Sequence, residues 1–333
     1  MLGNTHGRNN LLSLLSLLIR ENSLLFVPTQ SGGMEINMKK AKFSLGIVSA
    51  IIFAVLYIVQ FFFKFSQNES YIIHLIAAVF LGICLYCFVP AVKNKTYKEK
   101  QSKKLTARTI VSLLIVFIII PLTLFMGIFI LKDRKYYFIS LLIILEIMIP
   151  FFLTFEDKKP KATEIVLISM LCAIATAGRG AFFMLPQFKP LLAIVIIAGV
   201  CFGGESGFLV GAVSGFLSNF FFGQGSWTPW QMFCYGLVGL IAGLLFEKGI
   251  LKRTKISLCS YGALSTVIIF GGIINIQSFL AWTPQPTWEL FISSLVGGLS
   301  FDLIHAAATV YFLYFLAEPM IEKIERIKLK YGI

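Results

Sequence analysis

Arg179 and Lys189 lie in GRGAFFMLPQFKP (178–190), a segment otherwise built of apolar residues, glycine, proline and the amide Gln187. A guanidinium and an ammonium placed together supply donors to an anionic or carbonyl-bearing group. Two further segments carry related chemistry. FGQGSWTPWQ (222–231) holds Gln224, Trp227, Trp230 and Gln231, and NIQSFLAWTPQPTWE (275–289) holds Asn275, Trp282 and Trp288. All four tryptophans of the chain therefore fall in two short stretches. One tryptophan alone reads equally well as a headgroup anchor. The combination points instead to a concave site, in which rings close over an organic body while Gln187, Asn219 and the other amides fix its orientation. Prolines 186, 190, 229, 284 and 286 stiffen these stretches and reduce the entropy lost on binding. Asp302 and His305 share one helical face; the spacing leaves open a role in a pocket floor or a structural hydrogen bond between helices. Glu146 and His74 stand alone and read as packing or interfacial groups.

No GxxxxGK[ST] phosphate loop, G-x-S-x-G elbow or metal-spaced His/Cys/carboxylate cluster occurs in the sequence. Neither catalysis nor a cofactor is expected. The six cysteines fall in or beside apolar runs and read as structural thiols, Cys84-x-x-Cys87 included.

The elements that must position these residues are membrane helices. Of 333 residues 57% are apolar and only 14% charged, too little polar surface for a soluble core of this length. Apolar runs long enough to cross ~30 Å of hydrocarbon recur between short polar connectors, which predicts an all-α, polytopic helical membrane protein. Four spans are expected at about 43–63, 71–92, 109–131 and 137–155, and six more at about 164–184, 190–203, 207–222, 229–246, 256–275 and 289–317, ten in all. The basic linker 156–161 divides a four-helix region (38–160) from a six-helix domain (161–333). Residues 1–37 contain a leucine-rich stretch too short to span, and Met38, followed by a basic flank, is the expected start.

The net charge of +13 sits in connectors and tails rather than in a basic domain, so the partner is the bilayer and not nucleic acid. The positive-inside rule places the loop 93–108, the linker 156–161, the flank 248–255 and the C-terminal tail in the cytoplasm, leaving only the cluster 132–135 on the other side. Both termini are then cytoplasmic, and the connectors 178–190, 223–229 and 276–288 face outward. The glycines at 207, 211 and 215 predict close helix packing.

GRGAFFMLPQFKPLLAIVIIAGVCFGGESGF, FFGQGSWTPWQMF and SFDLIHAAATVYFLYFLAEPMIEKIERIK resemble the substrate-binding S components of energy-coupling factor (ECF) vitamin transporters over residues 164–333. The resemblance implies a binding protein that captures a vitamin-like small molecule outside and docks on a transmembrane coupling subunit with two ATPase subunits. It further implies that Ala173 and Ala177 match the small-residue pair with which that family contacts the coupling subunit, although Ser169 with Ala173 has the same spacing. The Trp-rich loops suit a large, flat or corrinoid-like compound, and the resemblance is nearest to the cobalamin-type branch of the family, which puts cobalamin first and other B vitamins or their precursors behind it. The four N-terminal spans depart from the family pattern. Two other readings stay open: an intramembrane enzyme acting on a lipid or prenyl substrate through Asp302 and His305, and a solitary carrier that works without ATPases.

Overall fold

The computed structural model describes residues 32–62, 67–88, 107–130, 138–147, 149, 162–283 and 287–332. The leucine-rich stretch of 1–31 and the linker 156–161 lie outside the described residues. The described residues are helical nearly throughout. α1 is Gly32–Phe62, α2 Gln67–Phe88 and α4 Phe138–Ile147. α3 runs from Ala107 to Phe129 through a π-helical turn at Ile115–Ile119. α5 is Ala162–Ala181, α6 Leu191–Phe202, α7 Gly204–Phe222 and α8 Trp227–Glu247. α9 runs from Lys255 to Trp282 with a π segment at Thr266–Gly271, and α10 is Trp288–Tyr331.

The described helices thus follow the order of the expected spans. α1, α3, α5, α8, α9 and α10 are long and apolar enough to cross a membrane, and Ile76–Phe88, α4 and α6 are shorter apolar helices. The chain is a membrane-integral helical protein. Three boundaries differ from the sequence reading. Trp227 and Thr228 join α8 ahead of the expected start at 229, because Pro229 is tolerated in a first helical turn. Ile276 to Trp282 continue α9 rather than forming a loop. α10 has 44 residues, ~66 Å at 1.5 Å per residue, so its charged C-terminal part extends beyond any hydrocarbon core.

Both π turns have local causes. Pro121 lacks an amide proton and crowds the preceding turn, just after Ile115–Ile119. In α9, Thr266 Oγ1 donates to the Gly262 carbonyl (2.6 Å) where the second begins.

α6 is the centre of the fold: all of its residues are buried, and α5, α7, α8, α9 and α10 surround it. Its twelve residues cover only ~18 Å of a ~30 Å core. The segment 182–190 leads into α6 from α5 at one end. At the other end the chain turns at a single residue, Gly203, whose φ of 99° excludes most side chains, and enters α7. α6, α7 and α8 then approach through glycine: a Cβ on Gly207 would fall 2.7 Å from Gly199 Cα, and one on Gly239 would collide with the Gly207 carbonyl. Gly211 and Gly215 likewise lie against α8, so the glycine stripe packs helices, as the spacing predicts.

Charge is concentrated at the Gly203 end. Arg253 donates to the Val200 carbonyl (2.9 Å) and Lys328 to that of Cys201 (2.7 Å), capping the C-terminus of α6, while Glu325 pairs with both cations. Lys255 pairs with Glu318 at the same end.

The N-terminal helices flank this bundle. Buried residues of α3 and α4 (Ile120, Leu124, Ile143) share a core with Phe208, Met232 and Leu240 of α7 and α8. α1 and α2 pack on each other, and α2 also touches α10.

Candidate functional site

The α5 C-terminus, the 182–190 loop, the α7 C-terminus and the first turns of α8 converge at the end opposite the charged cluster. Arg179, in the last turn of α5, is only 7% exposed. Its Nη1 donates to Ser218 Oγ (2.6 Å) and Asn219 Oδ1 (2.7 Å) of α7. Asn219 turns its amide nitrogen to Gln231 Oε1 (2.9 Å) and Thr228 Oγ1 (3.2 Å), which fixes the orientation of its oxygen toward Arg179. The guanidinium lies 4.4 Å from the Phe222 ring centre and 5.9 Å from that of Tyr235.

Among the described residues every hydrogen-bond partner of Arg179 is neutral, and its Nε has none. Thr176 Oγ1 and Gln224 Oε1 are also buried without a partner. A buried cation without a counter-ion is costly. A ligand that brings a carboxylate, phosphate or carbonyl oxygen to Nε would offset that cost.

Lys189 is the second cation, 5.0 Å from the same Phe222 ring and donating to the Leu185 carbonyl (3.0 Å). Burial, and then the charge of Arg179, lowers its pKa from 10.5 to about 8. The folded value lies below the unfolded one, so the folded chain binds fewer protons between these limits and stability rises with pH there. Relative to Lys189→Met, the wild type is expected to gain thermal midpoint from about pH 8 to about pH 10.5. An identical pH dependence in both proteins would show that Lys189 is not held in this environment.

The sequence-derived residues divide into groups. Arg179, Asn219 and Gln231 form one network, and Lys189 lies against the same Phe222 ring. Gln224 lies next to it, its amide donating to the Phe216 carbonyl (3.0 Å). Gln187 is half-buried in the loop with a positive φ of 53°. Trp227 folds back over Gly225, Trp230 packs edge-on against Phe125 of α3, and Trp288 is 70% exposed beside Phe291. The side chain of Trp282 lies outside the described residues.

Asn275 and Asp302 pair with each other (2.8 Å) across α9 and α10, apart from the Arg179 network. His305 is buried edge-on against Phe270 (4.8 Å), which stacks on Tyr235 (4.8 Å). A ladder of rings thus links His305 to the tyrosine beside Arg179. Asp302 and His305 address different partners. Among the described residues no group of three or more His, Cys, Asp or Glu side chains could hold a metal.

Sequence reasoning assigned no site role to Phe222, Tyr235, Thr228 or Ser218. Ser218, Asn219 and Phe222 share a face of α7 by their i, i+1, i+4 spacing, the one signal available once Arg179 is suspected. Ala173 and Ala177 lie exposed on α5 together with Ser169, on the side facing away from the bundle.

Residues 159–318 match the family model described as the ECF-type riboflavin transporter, S component. A UPF0397 protein of Vibrio atlanticus is 27% identical over 124 residues, covering 35% of this chain and 68% of its own length. UPF0397 proteins of Aliivibrio fischeri strain MJ11 and Aliivibrio salmonicida are each 33% identical over 88 residues, 25% of this chain and 48% of their own length, so the chain spans about half of these two relatives. No solved structure matches the chain.

Proposed function

We propose, from the match of residues 159–318 to the S-component family of ECF transporters, that the chain captures an organic micronutrient at the outer face of the cell membrane for inward delivery. The family is one of transport subunits rather than catalysts. The observation that carries the proposal is Arg179: buried, held by a fixed amide and a hydroxyl, flanked by Phe222, and lacking a partner at Nε. An oxygen-bearing group of the ligand docks there, and the rings cover its body. The charged end around Arg253, Lys255 and Lys328 faces the cytoplasm by the positive-inside rule, which puts the Arg179 end outside and both termini inside.

Riboflavin comes first among cargoes, because the family description names it and its ring carbonyls suit a guanidinium. The corrinoid reading drew on the Trp-rich outer loops as well as on the branch resemblance. It loses support from Trp230, which packs against α3, and from Trp288, which stands exposed beside Phe291.

Delivery requires a coupling subunit and two ATPase subunits, for which the exposed strip of Ser169, Ala173 and Ala177 offers a surface where backbones can approach closely. The test is a thermal-shift screen of purified protein against riboflavin, cobalamin, thiamine, biotin and folate, since binding only the folded state raises its midpoint. One vitamin is expected to raise it, and the tagged chain is expected to bring down ATPases. A shift by none would refute the vitamin class, and ATP-independent uptake by the chain alone would mark a solitary carrier.

A further inference from the structure

The helices α1 and α2 lie outside the family match, yet they hold the loop that closes the Arg179 site. Tyr57 of α1 donates its hydroxyl hydrogen to the Ala181 carbonyl (2.7 Å), and its oxygen accepts from the Met184 amide (3.1 Å). One phenol thus bridges the end of α5 and the first turn of the loop. Phe53, one helical turn earlier, sets its ring 6.3 Å from that of Phe182. At the far end of the loop, Phe188 lies 5.2 Å from the ring of Tyr311, whose hydroxyl donates to the Ala78 carbonyl of α2 (3.0 Å).

The loop needs such support. Its first residues bond back to α5, Phe182 to Gly178 (3.2 Å) and Phe183 to Gly180 (3.0 Å), and within the loop Leu185 bonds to Phe182 (3.2 Å). It holds Gln187 at a φ of 53°, a conformation costing roughly 1–2 kcal/mol for a residue with a Cβ. It also carries Lys189 to Phe222 and places Phe183 5.4 Å from the same ring. A strained segment that closes a site persists only where its surroundings fix it.

We propose that the α1/α2 hairpin positions the 182–190 loop over the ligand site through Tyr57, so that this N-terminal region sets how fast ligand enters and leaves. The proposal rests on the reading of the chain as a binding subunit. Tyr57 is a positioning residue, acting through the loop rather than by touching ligand.

Tyr57→Phe in the full-length protein tests it, because the change removes one hydroxyl and keeps the ring. Hydrogen–deuterium exchange of residues 182–190 is expected to accelerate about five-fold, the effect of one net hydrogen bond, with the exchange of α6 and α8 unchanged. With riboflavin and cobalamin as probes, association and dissociation rates of whichever binds should both rise about five-fold while Kd changes less. Tyr311→Phe should loosen the Phe188 end in the same way. Unchanged exchange in 182–190 would overturn the clasp, and faster exchange with unchanged ligand rates would overturn its gating role. A wild type that binds neither probe would overturn gating and weaken the binding-subunit reading, while the exchange result would still decide the clasp.

Discussion

Arg179→Met is expected to abolish ligand capture while leaving the ligand-free protein at least as stable as the wild type. The two halves have one cause. In the ligand-free protein the guanidinium is 7% exposed, donates to two neutral acceptors and has an unpartnered Nε, so burial is only partly compensated. Replacing a poorly compensated buried charge with an apolar chain of similar length is commonly neutral or stabilising. Asn219 Oδ1 loses one donor, at about 1 kcal/mol. For the bound ligand the balance reverses, because an oxygen seated against Nε loses a charge-assisted bond in a desolvated place, worth at least about a hundred-fold in Kd. Arg179→Lys should not restore binding, since an ammonium cannot hold Ser218, Asn219 and the ligand with one planar fork. Calorimetric or fluorescence titration with the vitamin that passes the screen, beside a thermal melt of the ligand-free variant, checks both halves. A variant that unfolds would make Arg179 a structural strut. One that binds normally would move the site elsewhere.

Arg179 also shows how far the sequence could be read. A lone arginine at the end of an apolar span is conspicuous without any structure, because a buried ionisable group in a membrane is costly and seldom accidental. Lys189, ten residues on, follows from the same reasoning. Span order and helical class were legible for a related reason: in hydrocarbon each segment must satisfy its own backbone, which leaves length and apolarity as sufficient signals. What surrounds Arg179 was less legible. Phe222 and Tyr235 are two among many aromatic residues in the chain, and nothing in their types separates a ring against a cation from a ring against lipid. Tryptophan drew attention by rarity, yet Trp230 packs on α3 and Trp288 stands exposed beside Phe291. The spacing of Asp302 and His305 leaves a pocket floor and an interhelical hydrogen bond equally open. Three-residue spacing puts them on one side of α10, but Asp302 turns to Asn275 and His305 to Phe270, a choice made by α9 and invisible in the local sequence. Tyr57 could not have been found at all, because its partners are backbone atoms of Ala181 and Met184, more than a hundred residues away.

The largest effect on folding is expected from Gly239→Ala. α6, α7 and α8 meet where Gly199, Gly207 and Gly239 bring backbone against backbone, and a Cβ on Gly239 would strike the carbonyl of Gly207, with the Val195 side chain 2.8 Å away on another side. Neither a carbonyl within a helix nor a β-branched side chain in a filled core can retreat cheaply. Overpacking of this kind costs 1–3 kcal/mol where neighbours relax, and here, with backbone on the opposing face, about 3 kcal/mol or more is expected. For a domain of this size that lowers the thermal midpoint by roughly 10 °C. Gly297→Ala is the control: it lies within α10 with nothing within 4 Å of an added Cβ, so the substitution should be neutral or slightly stabilising. Equal melting of the two variants would mean that α7 and α8 do not approach as closely as described. The consequence for binding follows from geometry, because Asn219 on α7 is oriented by Thr228 and Gln231 on α8. Separating those helices removes the group that aims an acceptor at Arg179. Gly239→Ala should therefore lose stability and ligand affinity together, whereas Arg179→Met loses affinity alone, and that contrast separates the residue that touches the ligand from the packing that places it.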